Sequence, residues 1–140
     1  MNKRGFTLIE LLVVIAIIGL LSTMSILALN SARGRARDAK RLSDVKQIQT
    51  ALALYAHDAL TYPPTVNIVP GVSIGYNGNV FLYTIPAPPL PDDGCLESTA
   101  YTYTLQSSVG DGSYTLNYCL GAATAEIAAG LHTATPAGIK

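Results

Sequence analysis

The first sixty residues carry the hydrophobic pattern of one continuous helix. Residues 11–32 give 22 consecutive positions without a formal charge, and residues 11–21 hold only apolar residues and one glycine. A run of about 20 apolar residues is long enough to cross a bilayer, whereas the apolar region of a secretory signal peptide is shorter, about 7–15 residues. The pattern therefore predicts a membrane-spanning helix that the protein keeps.

Beyond the uncharged run the helical pattern becomes amphipathic. Apolar side chains recur every three or four residues, the spacing of a single helix face: Leu42, Val45, Ile48, Leu52 and Tyr55. Arg41, Asp44 and Lys46 are predicted to lie off this stripe. The helix is expected over about residues 6–60, because the prolines of Tyr62-Pro63-Pro64 disfavour its continuation.

The remaining chain, residues 63–140, predicts a small β-rich domain. The expected elements are an early strand at Val80–Tyr83, two strands at Tyr101–Leu105 and Tyr114–Leu120, and turns at Tyr76–Asn79 and Gly110–Ser113. A hairpin packed on the amphipathic half of the helix would bury both apolar faces. The predicted fold class is therefore α+β, with one long N-terminal helix packed by its C-terminal half on a small antiparallel β-sheet.

Charge is scarce and unevenly placed. Charged residues make up 13% of the chain, against about a quarter in ordinary soluble domains. Residues 47–139 contain no Lys or Arg, and five basic residues cluster just after the apolar run: Arg33, Arg35, Arg37, Lys40 and Arg41. Their expected partners are lipid headgroups or the acidic domain of another copy of the chain, and no nucleic acid partner is expected.

Cys95 and Cys119 are the only two cysteines. An even count in a compact region fits one disulfide in an oxidising compartment, and two buried free thiols are the alternative. The bridge would close a loop of about 25 residues and contribute on the order of 3 kcal/mol. Together with His57 and His132 these residues show no zinc spacing, so neither a metal nor a cofactor is expected.

Glu10 is the one charge inside the apolar beginning of the helix. A carboxylate in the middle of a membrane costs about 2.5–3.5 kcal/mol, and less near the interface. The residue therefore either reaches the headgroups or is compensated by a partner. Charge and burial alone leave both alternatives open.

The segment Lys3-Arg4-Gly5-Phe6-Thr7-Leu8-Ile9-Glu10, followed by the apolar run, resembles the prepilin signature shared by type IV pilins and type II secretion pseudopilins. The resemblance implies that a prepilin peptidase cleaves between Gly5 and Phe6 and that the new amino group of Phe6 is then methylated. It also implies that Glu10 pairs with the Phe6 amine of a neighbouring subunit and sets the register between copies. One departure is Leu27, at a place where many members of the family carry proline.

The implied organisation has four segments: a leader (1–5), a transmembrane and filament-core helix (6–32), the amphipathic half of that helix (33–62), and a β-rich globular domain with the disulfide (63–140). The subunit would cross the cytoplasmic membrane once before assembly and then join an extracellular pilus filament or a periplasmic pseudopilus. Its expected partners are copies of itself, the prepilin peptidase and methylase, an assembly platform, and membrane lipid before assembly.

The preferred function is a type IV pilus subunit, which the candidate disulfide favours. A type II secretion pseudopilin is the alternative, because residues 54–63 resemble the pattern of major pseudopilins near the end of the helix. A single-span membrane binding protein that never polymerises is a second alternative. Substitution of Glu10 separates the polymerising functions from this one.

No enzymatic activity is expected. Residues 71–75 match the G-x-S-x-G pattern of a nucleophile elbow, but that motif needs a strand before it and a helix after it. A turn follows here instead. His57 and Asp58 are adjacent and do not face each other on a helix, so a solvated helix end is the simpler interpretation.

Overall fold

A computed structural model describes residues 5–64, 68–95, 102–105, 112–124 and 127–139. The elements in chain order are α1 (Leu8–Ala59), β1 (Ile74–Tyr76), β2 (Asn79–Leu82), β3 (Thr102–Leu105), β4 (Tyr114–Leu120), β5 (Gly130–Thr135) and β6 (Gly138–Ile139). This arrangement confirms the predicted α+β, type IV pilin-like fold class. The chain divides into two compact units, Met1–Arg33 and Gly34–Lys140, each described by itself below.

The first unit contains the apolar part of α1. Its large apolar side chains are exposed, with exposed fractions from 45% at Val14 to 82% at Leu8. By length and composition α1 is the one described helix that could cross a membrane, with a mean hydropathy of 2.7 over its most apolar window. Serine and threonine hydroxyls in this stretch donate to helix carbonyls, as Ser22 does to Ile18 at 2.7 Å. Such back-bonding makes these residues compatible with lipid or with neighbouring helices.

In the second unit the predicted apolar stripe of α1 forms the core. Val45, Ile48 and Leu52 are fully buried, and Leu42 and Tyr55 pack against the same cluster at its edge. The sheet contributes Tyr103, Tyr114, Leu116, Tyr118, Leu120 and Ala134. The helix ends at Ala59, and Leu60 follows in the left-handed region with φ of 57°. The stripe prediction is therefore confirmed.

The main sheet is antiparallel with strand order β3-β4-β5-β6. The predicted hairpin is confirmed, since Thr102 pairs with Asn117 and Leu105 with Tyr114. β4 is central and pairs with β5 from Leu116↔Ala134 to Leu120↔Gly130. The predicted turn between the hairpin strands lies largely outside the described residues.

A second, two-stranded sheet joins β1 and β2. Its turn residues Asn77 and Gly78 have φ of 48° and 86°. Two positive φ values in succession belong to the hairpin turn that Asn-Gly favours, so the predicted turn is confirmed. The G-x-S-x-G segment runs directly into β1, and its serine therefore precedes a strand.

Candidate assembly site

The helix begins with a reciprocal set of hydrogen bonds between Thr7 and Glu10. The Glu10 carboxylate accepts from the Thr7 backbone N–H at 2.8 Å and from its hydroxyl at 2.7 Å. In return the Glu10 backbone N–H donates to the Thr7 hydroxyl at 3.3 Å. Thr7 is the residue before Leu8, the first of α1, so the pair is a capping box that satisfies N–H groups a helix start leaves open.

The capping box leaves part of the carboxylate available. Both bonds from Thr7 end on Oε2, and within the described residues no hydrogen bond to Oε1 occurs. A carboxylate offers about four acceptor sites, so Glu10 can hold Thr7 and accept from a cationic donor at the same time. The cap and an intersubunit role of Glu10 are therefore compatible.

Gly5 and Phe6, the predicted cleavage residues, precede α1 and are exposed, Phe6 by 80%. They lie within a few residues of Glu10, in the same unit. Cleavage there would leave the new amine on Phe6, one helical turn before the carboxylate. Cleavage, methylation and the register role of Glu10 stay predictions.

The two cysteines form a disulfide in the second unit. Cys95 and Cys119 are bridged with a Cα–Cα separation of 5.8 Å, and both are buried. This is the pairing predicted from sequence. It fastens the segment after β2 to the end of β4.

An ionic cluster made of Arg37, Asp38, Arg41 and Asp93 lies beside this disulfide. Arg37 donates to both oxygens of Asp93, from Nε at 2.6 Å and from Nη2 at 2.5 Å. Arg41 donates to Asp38 at 2.6 Å and to Asp93 at 3.3 Å. The two-point contact between Arg37 and Asp93 fixes geometry as well as charge.

The cluster also holds backbone on both sides of the disulfide. Arg41 Nη2 donates to the carbonyls of Pro89 at 3.2 Å and Pro91 at 3.1 Å. The Asp38 carboxylate accepts from the N–H of Gly121 at 2.9 Å and of Ala122 at 2.7 Å. Charges that are taken out of water need such partners to be tolerated. The cluster thereby ties the helix to both chain segments that the disulfide joins.

These contacts correct one expectation about charge. Arg41 and Asp44 were predicted to lie off the buried face, but both are buried, and each has an ion-pair partner. Arg37, Lys40 and Arg41 form ion pairs within the chain, with Asp93, Asp44 and Asp38; contacts of the basic residues with headgroups or another copy stay a prediction. Hydrogen bonding to Arg37 lowers the pKa of Asp93, and the same contact raises that of Arg37.

Sequence reasoning missed both the capping box and the ionic cluster. The box carries a readable signal, since Thr-x-x-Glu before an apolar run is its signature. The spacing of Asp38 and Arg41 also indicates a helix-surface pair. No local signal connects Arg37 to Asp93, which is 56 residues away. Among the described residues no group of three or more His, Cys, Asp or Glu is placed to hold a metal ion.

An exposed apolar helix start capped by Thr-x-x-Glu, joined in sequence to a disulfide-bonded α+β domain, defines a pilin-like subunit. Residues 1–26 match the family model described as the prokaryotic N-terminal methylation motif. The chain is 31% identical to the type II secretion system core protein G of Escherichia coli K12, over 79% of this chain and 84% of that protein. The chain therefore belongs to the family of type IV pilins and type II secretion pseudopilins.

Two further relatives match over shorter stretches. The type II secretion system core proteins G of Klebsiella michiganensis and Pseudomonas aeruginosa are each 38% identical, over 46% of this chain and 45% of their own length. The chain thus matches less than half of the length of these two relatives. No solved structure gives a significant match.

Proposed function

We propose that this chain is a pseudopilin-type structural subunit, which is clipped between Gly5 and Phe6, methylated on Phe6, and polymerised with copies of itself beneath the cell surface. The observation that carries the proposal is the start of α1. Its large apolar side chains are exposed, and the Oε1 atom of Glu10 is available to accept a hydrogen bond from a cationic group. Hydrophobic burial against sister helices then supplies cohesion, and the Glu10–amine pair sets the register.

The comparisons favour a pseudopilus subunit, whereas the sequence alone favours a pilus subunit. Sequence reasoning preferred a surface pilus, because of the disulfide. The relatives are core proteins of type II secretion, and the identity to the Escherichia coli protein extends over most of both chains. This similarity supports the secretion subunit better than the pilus subunit. The proposal describes a structural subunit and no enzyme.

Substitution of Glu10 tests the assembly step cleanly. Gln at this position still accepts from Thr7, because the capping box takes Glu or Gln, but it removes the charge that would hold the amine. Glu10→Gln is therefore expected to abolish filaments while membrane insertion and the helix start are kept. The matched control is Asp58→Asn. It neutralises an exposed carboxylate close to Ala59, the last residue of α1.

Three measurements decide the outcome. Filaments are counted by electron microscopy of cells that produce each variant, and the mature terminus is analysed by mass spectrometry for N-methylphenylalanine. Filament formation by Glu10→Gln at the wild-type level, or a mature protein that retains residues 1–5, would contradict the proposal. In the producing bacterium, loss of protein secretion upon gene deletion supports the pseudopilin, whereas loss of surface fibres alone supports the pilus subunit.

A further inference from the structure

The loop that precedes the disulfide presents an apolar tip next to a carboxylate. Leu90 is 71% exposed, and Pro91 is exposed beside it. Asp92 follows, and within the described residues it forms no ion pair. An exposed leucine alone means little, but this one sits on a loop that is held in place on both sides.

The ionic cluster and the disulfide hold this loop. Arg41 grips the carbonyls on either side of Leu90, those of Pro89 and Pro91, and Asp93 is bound by Arg37. Cys95 is covalently joined to β4. A contact element that is rigid before binding loses little conformational entropy when it binds. The tip is therefore preorganised.

A groove in the same unit complements this tip. It lies between α1 and β2, has a volume of about 370 Å³, and is lined by Ala51, Phe81 and Leu82 together with Lys46 and Gln47 at its polar side. Lys46 is exposed, and it is the only Lys or Arg in residues 42–139. Its ammonium forms no ion pair within the part of the chain that the structure describes.

We propose that the loop Leu90–Asp92 of one copy docks in this groove of the next copy. Leu90 contacts Phe81 and Leu82, and the Asp92 carboxylate pairs with the Lys46 ammonium. The charges fit, because Lys46, the one Lys or Arg in residues 42–139, lies beside the apolar groove, and the apolar tip carries the Asp92 carboxylate, which has no ion-pair partner within the described residues. This inference rests on the proposed function, since it names a contact of the assembled subunit.

The tip and the groove lie at different positions along α1, so that the contact can repeat from one copy to the next. The tip is fastened to α1 at Arg37 and Arg41, whereas the groove runs along α1 from Ser43 to Ala51. The midpoints of residues 37–41 and of residues 43–51 are eight residues apart, which is about 12 Å along the helix at 1.5 Å per residue. Two different surfaces that meet head to tail form open filaments when the rotation between copies does not close. Parallel copies joined this way advance by about 12 Å.

Charge reversal in the full-length protein tests the contact. Lys46→Asp and Asp92→Lys are each expected to lower the yield of filaments isolated from lysed cells about tenfold, the effect of about 1.4 kcal/mol in affinity. The double variant, which restores opposite charges, is expected to return within about twofold of wild type. Asp58→Lys is the matched control and is expected to leave the yield unchanged. Equal yields for Asp92→Lys and Asp58→Lys, or no recovery in the double variant, would overturn the docking.

Cross-linking gives a readout that does not depend on the charge variants folding. Cells that produce a mixture of Leu90→Cys and Gln47→Cys chains are treated with a short bismaleimide. Dimers joined at these positions in filaments isolated from lysed cells support the docking, and filaments without them exclude it. If wild-type filaments exist and depend on Glu10 while these dimers are absent, only the docking fails. If wild-type cells contain no filaments, the proposed function itself fails.

Discussion

Arg37 on the helix and Asp93 after β2 meet in a two-point ion pair, at 2.6 and 2.5 Å, although 56 residues separate them. Asp93 also accepts from Arg41, whose side chain is only 3% exposed. Replacing Asp93 therefore leaves a buried guanidinium short of one acceptor. The segment around it then keeps only the hydrogen bonds from Arg41 to the carbonyls of Pro89 and Pro91 as its link to the helix.

The first prediction concerns the stability of this link. Asp93→Asn is expected to lower the free energy of unfolding by about 1.5–3 kcal/mol, the range for hydrogen bonds to charged groups. Asp58→Asn, at an exposed carboxylate, is expected to change it by less than about 0.5 kcal/mol. Thermal unfolding of the full chain in detergent, followed by tyrosine circular dichroism, compares the two. Equal midpoints would show that the ion pair adds nothing.

The second prediction follows from the pKa of Asp93. Hydrogen bonding to Arg37 lowers this pKa in the folded state, whereas the unfolded chain has an ordinary value of about 3.9. A carboxyl group whose folded pKa is lower stabilises the fold above the unfolded pKa and loses this contribution as the pH falls through the folded pKa. Wild type should therefore lose stability below about pH 4 more steeply than Asp93→Asn. Parallel curves for the two proteins, measured by denaturant unfolding from pH 6 to pH 2, would contradict this.

The third prediction compares the same substitution at two glycines. A Cβ added to Gly121 would overlap the backbone carbonyl oxygen and the Cβ of Asp93. Gly121→Ala must push this segment away and is expected to cost about 1–3 kcal/mol, as overpacking does. Gly34 lies in α1 with open space around it, so Gly34→Ala should raise stability by up to about 1 kcal/mol through helix propensity. A Gly121→Ala midpoint at or above that of wild type would show that the close approach is relieved at no cost, and a lowered Gly34→Ala midpoint would contradict the gain in helix propensity.

The fourth prediction concerns the disulfide. Cys95 and Cys119 are 24 residues apart. Closing a loop of this size lowers the conformational entropy of the unfolded chain and raises the free energy of unfolding by on the order of 3 kcal/mol. The double variant Cys95→Ser/Cys119→Ser is expected to lose about this amount. Wild-type protein in a thiol reductant serves as the control and should show a similar loss. A double variant as stable as the oxidised protein would mean that the ionic cluster alone holds the segment.

Much of the fold could be predicted because it depends on strong local patterns. The stripe through Val45, Ile48 and Leu52 has the helix period, and Tyr114–Leu120 has the residue types of a strand. β5 could not be predicted in this way. Its one fully buried side chain is Ala134, and alanine gives no hydrophobic alternation. β6 has only two residues, too few for any pattern.

The charged part of the second unit could not be predicted because its cause is tertiary. Arg41 and Asp44 look like surface residues in the sequence, since buried charges are rare unless paired. Their partners are supplied by folding, and one of them, Asp93, lies far along the chain. The capping box was within reach of sequence reasoning. Its local signature is Thr7-x-x-Glu10 before an apolar run.

The capping box at Thr7 also bears on the proposed cleavage between Gly5 and Phe6. Because the box starts the helix at Leu8, the Gly5–Phe6 bond lies outside hydrogen-bonded helix. Exposed, non-helical backbone is where proteolytic nicking concentrates. A bond one turn further along the chain would lie within hydrogen-bonded helix and would have to be unwound before cleavage. Thr7, which caps the helix, thus also leaves the bond proposed for cleavage outside it.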